Sequence, residues 1–388
     1  MKRKPLSRRQ FVSIISAGSA LLAVNPLAAR PSARSRQESK PATNIADAAK
    51  TPRKPGSMPG KFPGKVVMTT SSRSVVNDEP VEAEAYLMLQ TAITRLSGKK
   101  DLKSAWRTFV KPGEKIGLKV NPVAGKLLST SHAVVKSVVR QLTESGIKKE
   151  DIIIWDRRMP DLKDTGFTSE NYPGIKILAT EVQDENGSFV DASGKFHSEK
   201  IIDRDWYYWA DEEGVYDAET MPYMVNGGKY SYFTGIVTKE VDKIINIPIL
   251  KNAGGSVTNA MKNLAFGSIS NTGRLHTHLW NETCAEVCAF SPIRDKVVLN
   301  ICDALRGCFN GGPAANPQFI CNYNALLVST DPVAMDRIGY DIIAAKRIRE
   351  GIQKAPAPES LKFLAMGTSL GLGVSDRTKI ALDTVDLG

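Results

Sequence analysis

Lys115-Ile-Gly-Leu-Lys-Val-Asn-Pro122 decides how the rest of the chain is read. An apolar run of strand length ends in a turn pair, and Lys119 and Asn121 fall on one face because strand side chains alternate. His132 to Ser145 then shows helical periodicity and stops at Gly146. Ile152-Ile-Ile-Trp155 follows as a strand apolar on both faces, ending in Asp156-Arg157. The same strand-then-helix order recurs outward from this point. Val66-Val67-Met68 precedes a helical pattern over 81–96, and Ile175 to Ala179 is a further strand. Lys243 to Pro248 leads to a helix over 257–266 and another over 282–290. Val297 to Cys302, Leu326 to Ser329 and a long helix over 333–349 close the series. Doubly apolar strands alternating with helices predict an α/β fold: a mostly parallel, Rossmann-like sheet covered by helices. Residues 181–235 interrupt the rhythm with Trp206, Tyr207, Tyr208, Trp209, Tyr216, Tyr223, Tyr230 and Tyr232. They predict an inserted, partly β subdomain whose aromatics pack together or stack on a ligand.

The 388 residues carry a formal charge of +11. Residues 1–65 hold 14 Lys and Arg against Glu38 and Asp47, which leaves the remainder at −1. A near-neutral body lacks the footprint of a nucleic-acid binder. The basic charge belongs to a leader and a linker. Ser7-Arg8-Arg9-Gln10-Phe11 followed by the apolar run to Val24 has the form of a twin-arginine export signal. Residues 1–29 are therefore read as a signal peptide and 30–64, rich in Pro, Ser, Ala and Lys, as a disordered linker. The apolar run is too short to span a bilayer. Leu27-Ala28-Ala29 is the best cleavage site, with an uncleaved anchor as the alternative. The translocase is the expected partner in export and the periplasm the expected location. Of the cysteines, Cys284 and Cys288 read as buried thiols, and a Cys302–Cys308 disulfide is conceivable.

Five strands hand polar residues to the loops that follow them: Lys119 and Asn121; Asp156; Lys251 and Asn252; Asp303; Asp331. In an open parallel sheet these ends share one rim, where ligands bind. Asp331-Pro332 also has the form of a helix cap. Asn252-Ala-Gly-Gly-Ser-Val-Thr-Asn-Ala-Met-Lys-Asn263 joins a strand to a helix through glycines, so an anion could dock on the helix start, with Ser256, Lys262 and Asn263 nearby. His132, His276 and His278 are metal-ligand candidates for a divalent ion, or else simply hydrogen-bonded histidines. Lys119, Lys251 and Lys262 would neutralise a phosphate or carboxylate, Asn121, Asn252 and Asn263 would orient it, and Asp156 or Asp303 would act as general base or metal ligand.

Together, Gly113 to Pro122, Ile153 to Arg157, Ile247 to Asn252, Val257 to Gly267, Ser291 to Val298 and Ser329 to Gly339 resemble the domain of unknown function family 362, in its twin-arginine-exported branch. The resemblance spans residues 66–350 and implies an α/β fold without an assigned activity. Some relatives hold a ferredoxin-like cysteine cluster. C-x-x-C-x-x-C is missing here, so an iron–sulfur role does not carry over. Where relatives often place a histidine after the strand-end lysine pair, this chain has Ala253. The leading expectation is an exported enzyme acting on a small anionic substrate. The rival is a non-catalytic ligand carrier or accessory of an exported metalloenzyme.

Overall fold

A computed structural model describes residues 40–214, 228–253, 256–355, 357 and 361–388. The strands are β1 Lys65–Thr70, β2 Val75–Val76, β3 Glu79–Pro80, β4 Ile116–Lys119, β5 Ile152–Arg158, β6 Lys176–Glu181, β7 Ile202–Trp209, β8 Tyr230–Thr234, β9 Lys243–Asn246, β10 Ile249–Ala253, β11 Ser256–Thr258, β12 Val297–Cys308, β13 Ile320–Ser329 and β14 Ala381–Asp386. The α-helices are α1 Glu82–Ser97, α2 Leu102–Trp106, α3 His132–Glu144, α4 Met159–Asp164, α5 Ala260–Ser268, α6 Trp280–Ala289, α7 Ser291–Arg294, α8 Pro332–Arg349 and α9 Lys362–Ser369.

The central sheet runs β14-β1-β13-β12-β9-β4-β5-β6, with β10 beside the far half of β12 and β11 folded back on β10. Neighbours pair in parallel except around β13, which is antiparallel to both β1 and β12, and in the β10–β11 hairpin. Alternation sends Ile152 and Ile154 to one face and Ile153 and Trp155 to the other. Helices α1 and α3 cover the first face, and α5, α6 and α8 the second. Helix α3 forms where predicted: Ser131 caps it by accepting from Val134 N at 3.3 Å, and its valines are buried.

The parallel α/β sheet is as the sequence predicts, but two features differ, the 40–64 segment and the Cys302–Cys308 pairing. Residues 40–64 are not a loose tether. Met58 is fully buried, its amide donates to Arg294 O at 2.8 Å, and Ser57 Oγ donates to Asp295 at 2.6 Å. Arg294, itself buried, donates to the carbonyls of Ala48, Thr51 and Pro52, so the segment is bound backbone first and needs few apolar residues. The signal peptide with Arg8 and Arg9, and the linker up to Ser39, lie outside the described residues. Among its described residues the insertion holds a two-stranded β7–β8 ribbon. Its aromatics pack on each other, with Tyr207 5.2 Å from Tyr230, while buried Tyr208 donates to Glu286 Oε2 at 2.8 Å. Tyr216 and Tyr223 lie outside the described residues. All five cysteines are free thiols. Cys302 and Cys308 lie six residues apart on one extended strand, about 20 Å at ~3.3 Å per residue, far beyond disulfide reach.

Candidate functional site

Strands β4, β5 and β9 end side by side, and the chemistry gathers beyond their carboxyl ends. Lys119, 1% exposed, turns under helix α5 and forms an ion pair with buried Asp156. Its ammonium also donates to Val120 O at 2.8 Å and Asn263 Oδ1 at 3.2 Å, and lies over the Trp155 ring. A Cβ at position 267 would collide with Lys119 Cε and Nζ, so Gly267 is what lets the helix approach this lysine. Burial pushes the Lys119 pKa down, and Asp156 opposes the shift.

A chain of buried amides continues from this pair. Asn121 Nδ2 donates to Asn263 Oδ1 at 3.0 Å, Asn263 Nδ2 to Asn246 Oδ1 at 2.8 Å, and Asn246 Nδ2 to Asn300 Oδ1 at 2.9 Å. Each amide thereby fixes the orientation of the next, and the network is rigid because leaving any member unpaired would be costly. At its open end, Lys251 Nζ donates to Asn121 Oδ1 at 3.0 Å. Lys251 is 1% exposed and has no carboxylate partner among the described residues. Burial, and then the nearby Lys262 charge, lower its pKa to about 7.

Above this floor lies a cavity of about 100 Å³ lined by Lys119, Asn121, Asp156, Lys251, Lys262 and Asn263, with Thr258, Phe266 and His276 at its side. Lys262 stands out. It is 7% exposed, lies 5.8 Å from the Phe266 ring centre and 5.5 Å from that of Trp280, and has no hydrogen-bond or ion-pair partner among the described residues. Burial lowers its pKa. Thr258 Oγ1, paired across the hairpin from Lys251, is likewise buried without a partner. His276 Nδ1 lies 2.9 Å from Thr272 O, so that nitrogen carries the proton and Nε2 is the acceptor. Desolvation of its ring, then the Lys262 and Arg157 charges, push its pKa down to about 4, although the residue as a whole is exposed. It is neutral at pH 7.

The sequence reading missed Arg157, Arg158 and Asp161, which complete the wall. Both arginines lean on Glu181, at 3.3 and 3.5 Å, and Arg158 lies 3.5 Å from Asp161. Burial raises the Glu181 pKa to about 7 against both guanidinium charges. The lining thus holds five cationic side chains and two carboxylates. Asn246 and Asn300, also missed, announce themselves only as amides inside otherwise apolar strands.

Other expected residues are not part of this cavity. Asp331 follows the one reversed strand of the central sheet's main run, so it lies at the opposite edge. There it accepts from Ala334 N at 2.8 Å, Gly64 N at 2.9 Å and Val374 N at 3.0 Å, which makes it a cap and a chain clamp. Asp303 is mid-strand because β12 continues to Cys308. It accepts from Ser131 N at 2.7 Å and Leu305 N at 3.1 Å, and lines a neighbouring cleft with His132. Asn252 Oδ1 accepts from Gly312 N at 2.9 Å, and Ser256 lies in the hairpin, both outside the cavity lining. Strand β11, antiparallel to β10, stands between β10 and α5, so β10 does not run straight into the helix. The start of α5 is already filled from within: Ala260 N and Met261 N donate to the Asp336 carboxylate at 2.6 and 3.0 Å. The histidines do not converge either. His132 is 2.7 Å from Tyr172 Oη and 2.9 Å from Thr165 O, and His278 is 2.9 Å from Glu212. Among the described residues no three His, Cys, Asp or Glu side chains gather as a metal ion requires.

A family model described as a domain of unknown function, DUF362, matches residues 116–341, which include every cavity residue named above. No curated protein matches the chain. A solved structural-genomics protein from Thermotoga maritima is similar at 10% identity with a TM-score of 0.35, over 70% of this chain. The match spans 60% of that protein, less than two thirds of its length.

Proposed function

Since the chain belongs to the DUF362 family, whose description carries no activity, we propose from the site itself that it is an enzyme acting on a small anionic substrate, a carboxylate or phosphate, at the carboxyl edge of the sheet. The observation that carries this reading is Lys262: an ammonium kept nine-tenths buried with no protein counter-charge or acceptor among the described residues. Such a group is costly unless an anion completes it. Lys262 and Thr258 Oγ1 offer the ligand unused donors, and Lys251 adds the hydrogens that Asn121 does not take. Asn121 and Asn263 hold Lys251 and Lys119 in fixed directions, so little reorganisation is needed on binding. Lys119 engages Asp156, which leaves Lys251, poised near neutrality, as the group best suited to move a proton at pH 7. The Arg8-Arg9 leader supports export by the twin-arginine translocase to the periplasm. No helix among the described residues is long and apolar enough to cross a membrane.

Calorimetric titration of the purified chain with glycolate and with phosphate, against neutral glycerol, tests the reading. At least one anion binds and glycerol does not; equal indifference to all three would remove the anion site.

A further inference from the structure

Three lysines line one small cavity, and two of them, Lys251 and Lys262, have no carboxylate of their own among the described residues. They differ in their neighbours. Lys262 is packed between aromatic faces with its ammonium free to meet an anion. Lys251 is anchored by one neutral acceptor, Asn121 Oδ1 at 3.0 Å, which fixes the direction of its nitrogen without stabilising its charge as a carboxylate would. The two charges repel each other, and the one that is released is the one on Lys251. The groups that act on it are Lys262 from α5, Lys119 from β4, Asp156 from β5 and Cys308 from β12. An unpaired, directed amine beside a cation that captures an anionic group is the arrangement for amine attack on a carbonyl.

We propose that Lys251 is a nucleophile that forms an imine with small oxo acids, whose carboxylate is held by Lys262. This deepens the small-anion reading above and rests on it. The step balances without an added reagent. The neutral Lys251 amine attacks the carbonyl carbon and a C–N bond forms. The carbonyl oxygen then leaves as water, taking both amine protons. Protonation of the imine gives an electron-withdrawing iminium, which makes a proton or carboxylate on the adjacent carbon easier to lose. A cavity of about 100 Å³ has room for a small oxo acid. Because the amine loses its proton near neutrality, the nucleophile is available at pH 7, where a surface lysine is almost wholly charged.

The test is reductive trapping on the full chain. The protein is incubated with glyoxylate, pyruvate or acetoacetate and cyanoborohydride, then its mass is measured intact and its peptides are mapped. One reduced adduct forms on Lys251 with at least one of the three, ahead of every other lysine. Its rate levels off just above pH 7, whereas labelling of surface lysines keeps rising towards pH 10. Lys262→Met slows trapping at Lys251 by about tenfold or more while leaving surface labelling unchanged. Adducts spread evenly over surface lysines, or none at Lys251 with any of the three acids, overturn the proposal. A parallel titration with glycolate, which has no carbonyl, separates the two failures. Glycolate binding without a Lys251 adduct refutes the imine alone, and absence of both refutes the anion site beneath it.

Discussion

Lys262→Met should stabilise the fold and weaken the site at once. Methionine has nearly the same length, fits between Phe266 and Trp280, and makes favourable sulfur–aromatic contacts. The native side chain is 7% exposed and burial lowers its pKa, so keeping the amine there costs folding energy. Desolvating an ammonium costs several kcal/mol, and two cation–π contacts return ~0.5–2 kcal/mol each. The balance favours the variant by about 1–3 kcal/mol, or roughly 1–4 °C in melting temperature for a chain of this size. The same change removes a charge-assisted contact worth ~1.5–3 kcal/mol to an anion, which weakens binding by about tenfold to a hundredfold. Urea unfolding at pH 7 gives the first quantity and calorimetric titration with glycolate or phosphate the second. A variant that is less stable than the native chain and still binds the anion equally well refutes the reasoning, because Lys262 would then be a structural residue.

Asp331→Ala should do the reverse. It strips three backbone amides of their acceptor and costs about 3–6 kcal/mol in urea unfolding, while anion affinity is unchanged because Asp331 lies at the far edge of the sheet. Lys119→Met alone should cost ~3–5 kcal/mol by orphaning Asp156, and adding Asp156→Leu should recover part of that loss in a double-mutant cycle; simple additivity would mean that the pair is not coupled. Lys251 titrates near 7 folded and about 10.4 unfolded, so between those values the unfolded chain binds more protons and native stability rises with pH. Lys251→Met should therefore be more stable than the native chain at pH 7 by a few kcal/mol, with the gap closing by pH 10. An unfolding series over that range measures it.

Much of this was legible in the residues because parallel sheets deliver successive strand ends to one rim. Lys119, Asn121, Asp156 and Lys251 line the cavity for that reason, and Lys262 and Asn263 of α5, with His276 beyond it, close it from the side. The failures share a cause: an apolar run shows that a strand is buried but not which way it points or where it stops. Leu326 to Ser329 reads identically in either direction, and its antiparallel placement carries Asp331 away from the site. Val297 to Cys302 continues to Cys308, which puts Asp303 in the middle of a strand, where it accepts from the amide of Ser131, the residue that caps α3. Asn246 and Asn300 were visible as amides inside apolar strands, a placement that is tolerated only if they are hydrogen-bonded to each other or to backbone. Residues 40–64 read as a linker because backbone hydrogen bonds to Arg294, not apolar side chains, hold much of that segment.

The most direct measurement is a crystal of the native chain soaked in selenate, an anion that reports its own position by anomalous scattering. The account predicts a peak in the cavity at the β4–β5–β9 edge, within hydrogen-bonding distance of Lys262 Nζ and reached by Lys251 or Thr258. An empty cavity, with selenate bound only at surface lysines and the Lys262 ammonium met by a protein acceptor, would contradict it.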